Sequence, residues 1–177
     1  RSSQGIHPIG NRLSPAISTV ETRSDQSVMN QAQLLLSSFW AYLQGEGSMA
    51  DPMFALRLYG DSKDFGVSLE VSFIERKKDE GSLRKQNQVL TLPVSSPIYY
   101  LAQEGGVSQR FQGTEANHLR LLKGVETGQV RKVLVKVDVN LSQATSRDAI
   151  LEELKKGMVY LLPYYEATRQ RIEGDAQ

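Results

Sequence analysis

The stretch from Met53 to Lys78, MFALRLYGDSKDFGVSLEVSFIERKK, constrains the fold more than any other part of the chain. Val67, Leu69, Val71 and Phe73 alternate with Ser68, Glu70 and Ser72, so a strand here buries one face and turns the other to water or to polar neighbours. Phe54, Leu56 and Leu58 give the preceding segment the same two-residue period. Between the two runs, Gly60-Asp61-Ser62-Lys63-Asp64 supplies turn residues, which predicts an antiparallel hairpin with a loop longer than the tightest class.

Around this hairpin the pattern alternates between helical and strand periods. Ala32, Leu35, Leu36, Phe39, Trp40 and Leu43 recur at three- and four-residue spacing. This predicts an amphipathic helix capped by Asp25 or Ser27, ended by Gly45, with Trp40 in the core. The polar run Lys77 to Gln88 reads as a solvated loop, followed by two short strands, Gln88 to Leu92 and Pro97 to Leu101. Thr114 caps a short helix carrying Leu119, Leu122 and Val125. A long strand follows over Val130 to Leu141, with Val133, Val135, Val137 and Val139 on one face and Lys132, Lys136 and Asp138 on a wet one. Thr145 and Asp148 have capping-box spacing and open the last helix. Its stripe is Ile150, Leu151, Leu154, Met158, Leu161 and Tyr165, Glu152 and Lys156 pair on its wet side, and Pro163 kinks or ends it. The expected organisation is an extended arm or linker over residues 1–26, one α+β domain over 27–170, and a frayed tail over 171–177. The domain is a mostly antiparallel sheet with an N-terminal and a C-terminal amphipathic helix packed on it.

Composition narrows the chemistry. The 177 residues hold 21 basic and 20 acidic side chains, a net charge of +1, so any nucleic-acid site must be a local patch. The absence of cysteine removes disulfides, zinc-thiolate sites and thiol nucleophiles, and fits a reducing compartment. His7 and His118 offer little for histidine-based metal or triad chemistry; His7 reads as a surface loop residue and His118 as a surface or interface one. No apolar run reaches membrane-spanning length and the start lacks a signal-like apolar segment, so a soluble, cytoplasmic protein with no membrane partner is expected. The chain begins at Arg1, which suggests a segment excised from a longer polypeptide or one that has lost its first residues.

Three sets of residues carry candidate chemistry. Glu75-Arg76-Lys77 spells the acid-x-lysine pair of metal-dependent nucleases, with Asp61 or Asp64 as the upstream acid. Two carboxylates would hold Mg²⁺ while Lys77 orients the attacking water. A charged strand end running into a loop explains the same residues. Arg76, Lys77, Lys78, Arg84 and Lys85 crowd the polar loop, and with Lys132 and Lys136 they would form a phosphate-binding track if the sheet brings them together. A merely solvated loop is the other reading. Tyr59, Phe65, Tyr99, Tyr100 and Phe111 fall at strand ends or in loops, where bases are gripped, although Tyr99 and Tyr100 can equally straddle a strand with one ring in the core.

The segment Gly45-Glu46-Gly47-Ser48-Met49-Ala50-Asp51-Pro52-Met53-Phe54-Ala55 resembles the Gly-x-Gly-x-Trp-Ala-x-x-Pro-Trp-x-Ala opening of the N-terminal DNA-recognition domain of McrB-type modification-dependent restriction enzymes. The helix before it, the strands after it and a closing helix ending in Leu161-Leu162-Pro163-Tyr164-Tyr165-Glu166 follow in a similar order. Met49 stands where that family favours tryptophan, and Pro52 comes one residue early. The resemblance implies a module that binds DNA, in some members flipping a modified cytosine into an aromatic pocket, with cleavage carried elsewhere in the complex. The combined expectation is a non-catalytic DNA-binding domain of a restriction or defence system, working with other subunits or domains and needing no cofactor. The alternatives are a Mg²⁺-dependent nuclease using Asp61 or Asp64, Glu75 and Lys77, and a protein-interaction domain.

Overall fold

The computed structural model describes residues 19–22, 40–44, 51–60, 64–73 and 79–170. Within them the chain is an α+β fold. Strands β1 (Thr19–Thr22), β2 (Trp40–Gln44), β3 (Met53–Gly60), β4 (Phe65–Ser72), β5 (Tyr99–Glu104), β6 (Val107–Gln112) and β7 (Val130–Asn140) form a sheet of order β1-β2-β3-β4-β7-β5-β6. Every neighbouring pair is antiparallel. Three helices accompany it: α1 (Glu80–Asn87), α2 (Glu115–Glu126) and α3 (Arg147–Arg169).

The predicted β3–β4 hairpin forms in full, in a register running from Met53 opposite Ser72 to Gly60 opposite Phe65. Alternation sets the core face: Val67, Leu69 and Val71 of β4 join Val133, Val135, Val137 and Val139 of β7 and Tyr100 and Ala102 of β5, all buried beneath Leu121 of α2 and Leu161 and Tyr164 of α3. Gly157 lets α3 approach closely, since a Cβ there would lie 2.6 Å from both Leu69 Cδ1 and Val139 Cγ2. Helix α2 starts as expected, with the Thr114 hydroxyl accepting from Asn117 N. Helix α3 starts one residue later than the Thr145 spacing suggests, with Ser146 Oγ accepting from Ala149 N. Pro163 lies inside α3 instead of ending it, on the exposed side where the carbonyl left without its donor can meet water. The predicted Glu152–Lys156 pair is replaced by Glu152–Lys155 and Glu153–Lys156, at 2.7 and 2.6 Å.

Other local assignments change. The helix expected to run to Gly45 is overturned over Trp40–Gln44, which is strand β2 paired with β3 from Trp40 opposite Arg57 to Leu43 opposite Phe54; residues 27–39 lie outside the described set. A short run such as Trp40-Ala41-Tyr42-Leu43 satisfies both periods, and ladder pairing decides it. The polar Lys77–Gln88 run is not a loop over Glu80–Asn87. Asp79 Oδ1 accepts from Gly81 N at 2.8 Å and caps α1. Gln88 to Leu92 is not a strand, because Gln88–Thr91 continues from α1 as a 3-10 turn. Strand β6 was not anticipated. It is joined to β5 by Gly105 and Gly106, both at positive φ (55° and 85°), the backbone that a two-residue hairpin turn requires.

Helix α1 also repairs the sheet. The β4–β7 ladder stops at Val71 opposite Val135, and the strands then part. Buried Gln86 spans the gap, its Nε2 donating to Val71 O (3.2 Å) and Val133 O (3.0 Å). Asn87 then pairs with β7 as a strand residue would, accepting from Val133 N and donating to Arg131 O. No helix of the described residues is long and apolar enough to cross a membrane.

Candidate functional site

The helices and the main core take one face of the sheet, and the opposite face carries the even-numbered residues of β4, β7 and β6 with the odd-numbered ones of β3 and β5. Register places them in rows: Glu70 lies opposite Lys136, and Lys136 opposite Tyr99. Ser68 lies opposite Asp138, and Gln103 opposite both Lys132 and Ser108. A cleft of about 390 Å³ opens on this face. Its walls include Arg57, Glu70, Lys132 and Lys136 among apolar Phe73, Leu101 and Leu134.

Glu70 is the pivot. It is 1% exposed, yet it carries a carboxylate between two cations. Arg57 Nε donates to Oε1 at 3.2 Å, and Lys136 Nζ stands 3.0 Å from Oε2. Oε2 has no hydrogen bond of good geometry among the described residues, so the Lys136 contact is an ion pair without alignment. Taking these charges out of water is costly unless they are paired, and the paired arrangement holds both cations in place. Lys132 adds a third cation, its Nζ 5.4 Å from the centre of the Phe73 ring.

A second network borders the first. The Tyr99 hydroxyl donates to Asp138 Oδ1 at 2.8 Å and lies 3.4 Å from Ser68 Oγ. Arg110 closes it, with Nη1 3.2 Å from Asp138 Oδ2 and its guanidinium 3.6 Å above the Tyr99 ring. Burial, together with the Asp138 carboxylate, pushes the Tyr99 phenol up to about 12.

The structure sorts the sequence candidates. Lys132 and Lys136 do line one cleft, but Lys136 is not on a wet face. It is 8% exposed, because Glu70 across the ladder draws it in. Arg84 and Lys85 sit on α1, where Lys85 Nζ is engaged by Asp51 Oδ1 at 2.7 Å. Tyr100 cannot contact a base: it is fully buried on the core face, accepts from Val94 N, and burial raises it to about 12. Tyr99 is on the cleft side, but Arg110 already covers its ring. Phe65 is half-buried against the core and its backbone N–H donates to Ser142 Oγ. Phe111 is buried under Arg120. Tyr59 is half-buried at the far end of β3, its phenol raised by burial and by Asp138 and Asp64. Asp64 accepts from Asn140 Nδ2 at 2.8 Å and from Ser142 Oγ. His118 is partly buried, its Nε2 2.9 Å from Leu90 O. Asp61, Glu75, Arg76, Lys77 and Lys78 lie outside the described residues.

Arg57, Glu70, Gln103 and Ser108 escaped the sequence reading. The available signal was parity, since Glu70 shares its strand face with Ser68 and Ser72, but no local pattern specifies the register that sets it against Lys136. Comparisons with protein-family models, curated proteins and solved structures find no match for this chain.

Proposed function

We propose that this chain is a non-catalytic DNA-recognition domain that receives nucleic acid on the face of its sheet opposite the described helices. The observation that carries the reading is the cleft itself, where, among the described residues, Arg57 and Lys136 share the one carboxylate Glu70 beside the apolar surfaces of Phe73, Leu101 and Leu134. Local positive charge gives phosphate affinity despite a near-neutral chain, and an apolar wall accepts a sugar or base. Strand β4 ends at this same end of the sheet, and Arg76, Lys77 and Lys78 follow it in sequence within a few residues. The resemblance of Gly45 to Ala55 to the McrB-type domain supports the same ligand, and from it we infer a cytoplasmic restriction or defence role in which cleavage belongs to another domain or subunit. The reading needs no metal; Mg²⁺ enters only with the nuclease alternative, whose Asp64 already serves Asn140 and Ser142.

Fluorescence anisotropy with labelled duplex DNA, unmodified and cytosine-modified, in EDTA and at two salt concentrations tests this. Expected is binding that weakens steeply with salt and weakens further in Lys132→Glu. Absence of binding by the folded chain at low salt would overturn the proposal.

A further inference from the structure

Arg57 has a single partner among the described residues. Its Nε is tied to Glu70 Oε1, while the N–H groups on Nη1 and Nη2 meet no acceptor among the described residues. The side chain is 47% exposed and lines the cleft, so the inner end of the guanidinium is anchored and the outer fork faces ligand space. The anchor is firm, because Glu70 sits between Arg57 and Lys136 in the interior of the sheet. Among the described cleft residues, two cations on one carboxylate leave a surplus positive charge. A planar fork beside surplus positive charge suits a tetrahedral oxyanion, which it grips through two parallel hydrogen bonds.

We infer that Arg57 binds a phosphate group through its Nη fork, with Glu70 as the positioning residue that holds the fork toward the cleft. The assignment of that phosphate to a DNA backbone rests on the function proposed above; a phosphorylated small molecule would present the same chemistry. Neither Arg57 nor Glu70 stands in a basic run. The site exists only because β3, β4 and β7 align.

The test compares wild type, Arg57→Ala, Arg57→Lys, Glu70→Gln and the double variant Glu70→Gln/Arg57→Lys. DNA anisotropy is measured across a salt series, and pyrophosphate binding by calorimetry. Arg57→Ala is expected to lower the salt slope by about 0.9, the loss of one phosphate contact. Arg57→Lys is expected to keep the slope but bind several-fold more weakly, because a point charge cannot fork. In a Glu70→Gln background that circular dichroism shows to be folded, Arg57→Lys should change nothing further, because the fork is no longer held toward the cleft. If wild type binds DNA and Arg57→Ala binds with the same slope and affinity, the inference falls and the DNA reading stands. If wild type binds pyrophosphate but not DNA, and Arg57→Ala abolishes it, the DNA reading falls and the phosphate site stands. Binding of neither ligand overturns both. Arg57→Lys changes a half-exposed position and keeps its charge, so the comparison survives even if Glu70→Gln does not fold.

Discussion

Replacing Gln86 with methionine tests whether a single side chain holds the sheet together where β4 and β7 part. Methionine has similar length and fills the same buried space, but it cannot donate to Val71 O or Val133 O. Each buried carbonyl left without a donor costs about 1–3 kcal/mol. Against that, the substitution removes Gln86 Oε1, a buried acceptor with no donor of its own among the described residues, and recovers a penalty of the same size. The net loss is about 1–3 kcal/mol, or a fall in Tm of roughly 2–12 °C for a domain of this length. Urea unfolding followed by circular dichroism should show a lower midpoint at unchanged slope. Gln86→Glu removes the same donors and aims a carboxylate at two carbonyls, so it should be the worse variant at neutral pH. Its deficit should shrink in acid, where burial has raised the introduced group's pKa and the protonated form supplies one donor. A methionine variant within about 0.5 kcal/mol of wild type would refute the bridging argument.

Two further perturbations test the frame that presents the cleft. Gly157→Ala gains about 1 kcal/mol of helix propensity but forces a Cβ to within 2.6 Å of Leu69 and Val139, an overpacking cost of about 1–3 kcal/mol, so thermal unfolding should show a net loss near 1 kcal/mol; a stabilised variant would mean that α3 is not seated on β4 and β7 as described. Burial raises Tyr99 and Tyr100 to about 12, above the ordinary phenol value of 10, so the folded state holds these protons more tightly than the unfolded chain. That stability is fully present below pH 10 and is lost as pH rises toward 12. Tyrosinate absorbance should therefore show Tyr99 and Tyr100 among the late-titrating phenols, together with Tyr59 and Tyr164, which burial also raises, and titration of Tyr99 and Tyr100 with the exposed group would contradict the burial assigned to them.

The sequence carried those parts of the fold in which local pattern and tertiary contact agree. Strands β3, β4 and β7 were legible because alternation over eight residues or more leaves one consistent face, and α2 and α3 were legible from their apolar stripes and hydroxyl caps. Helix α1 was not, because its sequence, Glu-Gly-Ser-Leu-Arg-Lys-Gln-Asn, has no apolar stripe. It docks through hydrogen bonds from Gln86 and Asn87 to strand ends, and hydrophobic periodicity cannot register such a contact. Strand β6 shows only Phe111 to the core, as an edge strand on a half-covered sheet can, so its one legible sign was the Gly-Gly turn before it.

The candidate site was hidden for a different reason. Ser68, Glu70 and Ser72 announce a second strand face that is polar, and polar faces are ordinarily wet; here all three are buried. Around Ser68 and Glu70 register brings other polar chemistry, with Lys136 and Asp138 from β7, Arg57 from β3 and Tyr99 from β5. Such an arrangement is poorly explained as a stability device, since a buried carboxylate with two cations is often no better than apolar residues of similar volume. A chain needing only a core would gain more by continuing the valine pattern of the first face onto the second. That β4 instead spends its second face on a charge whose partners reach the mouth of a cleft is the strongest physical reason to look for function on the side opposite the described helices, where the Arg57 Nη groups have no acceptor among the described residues.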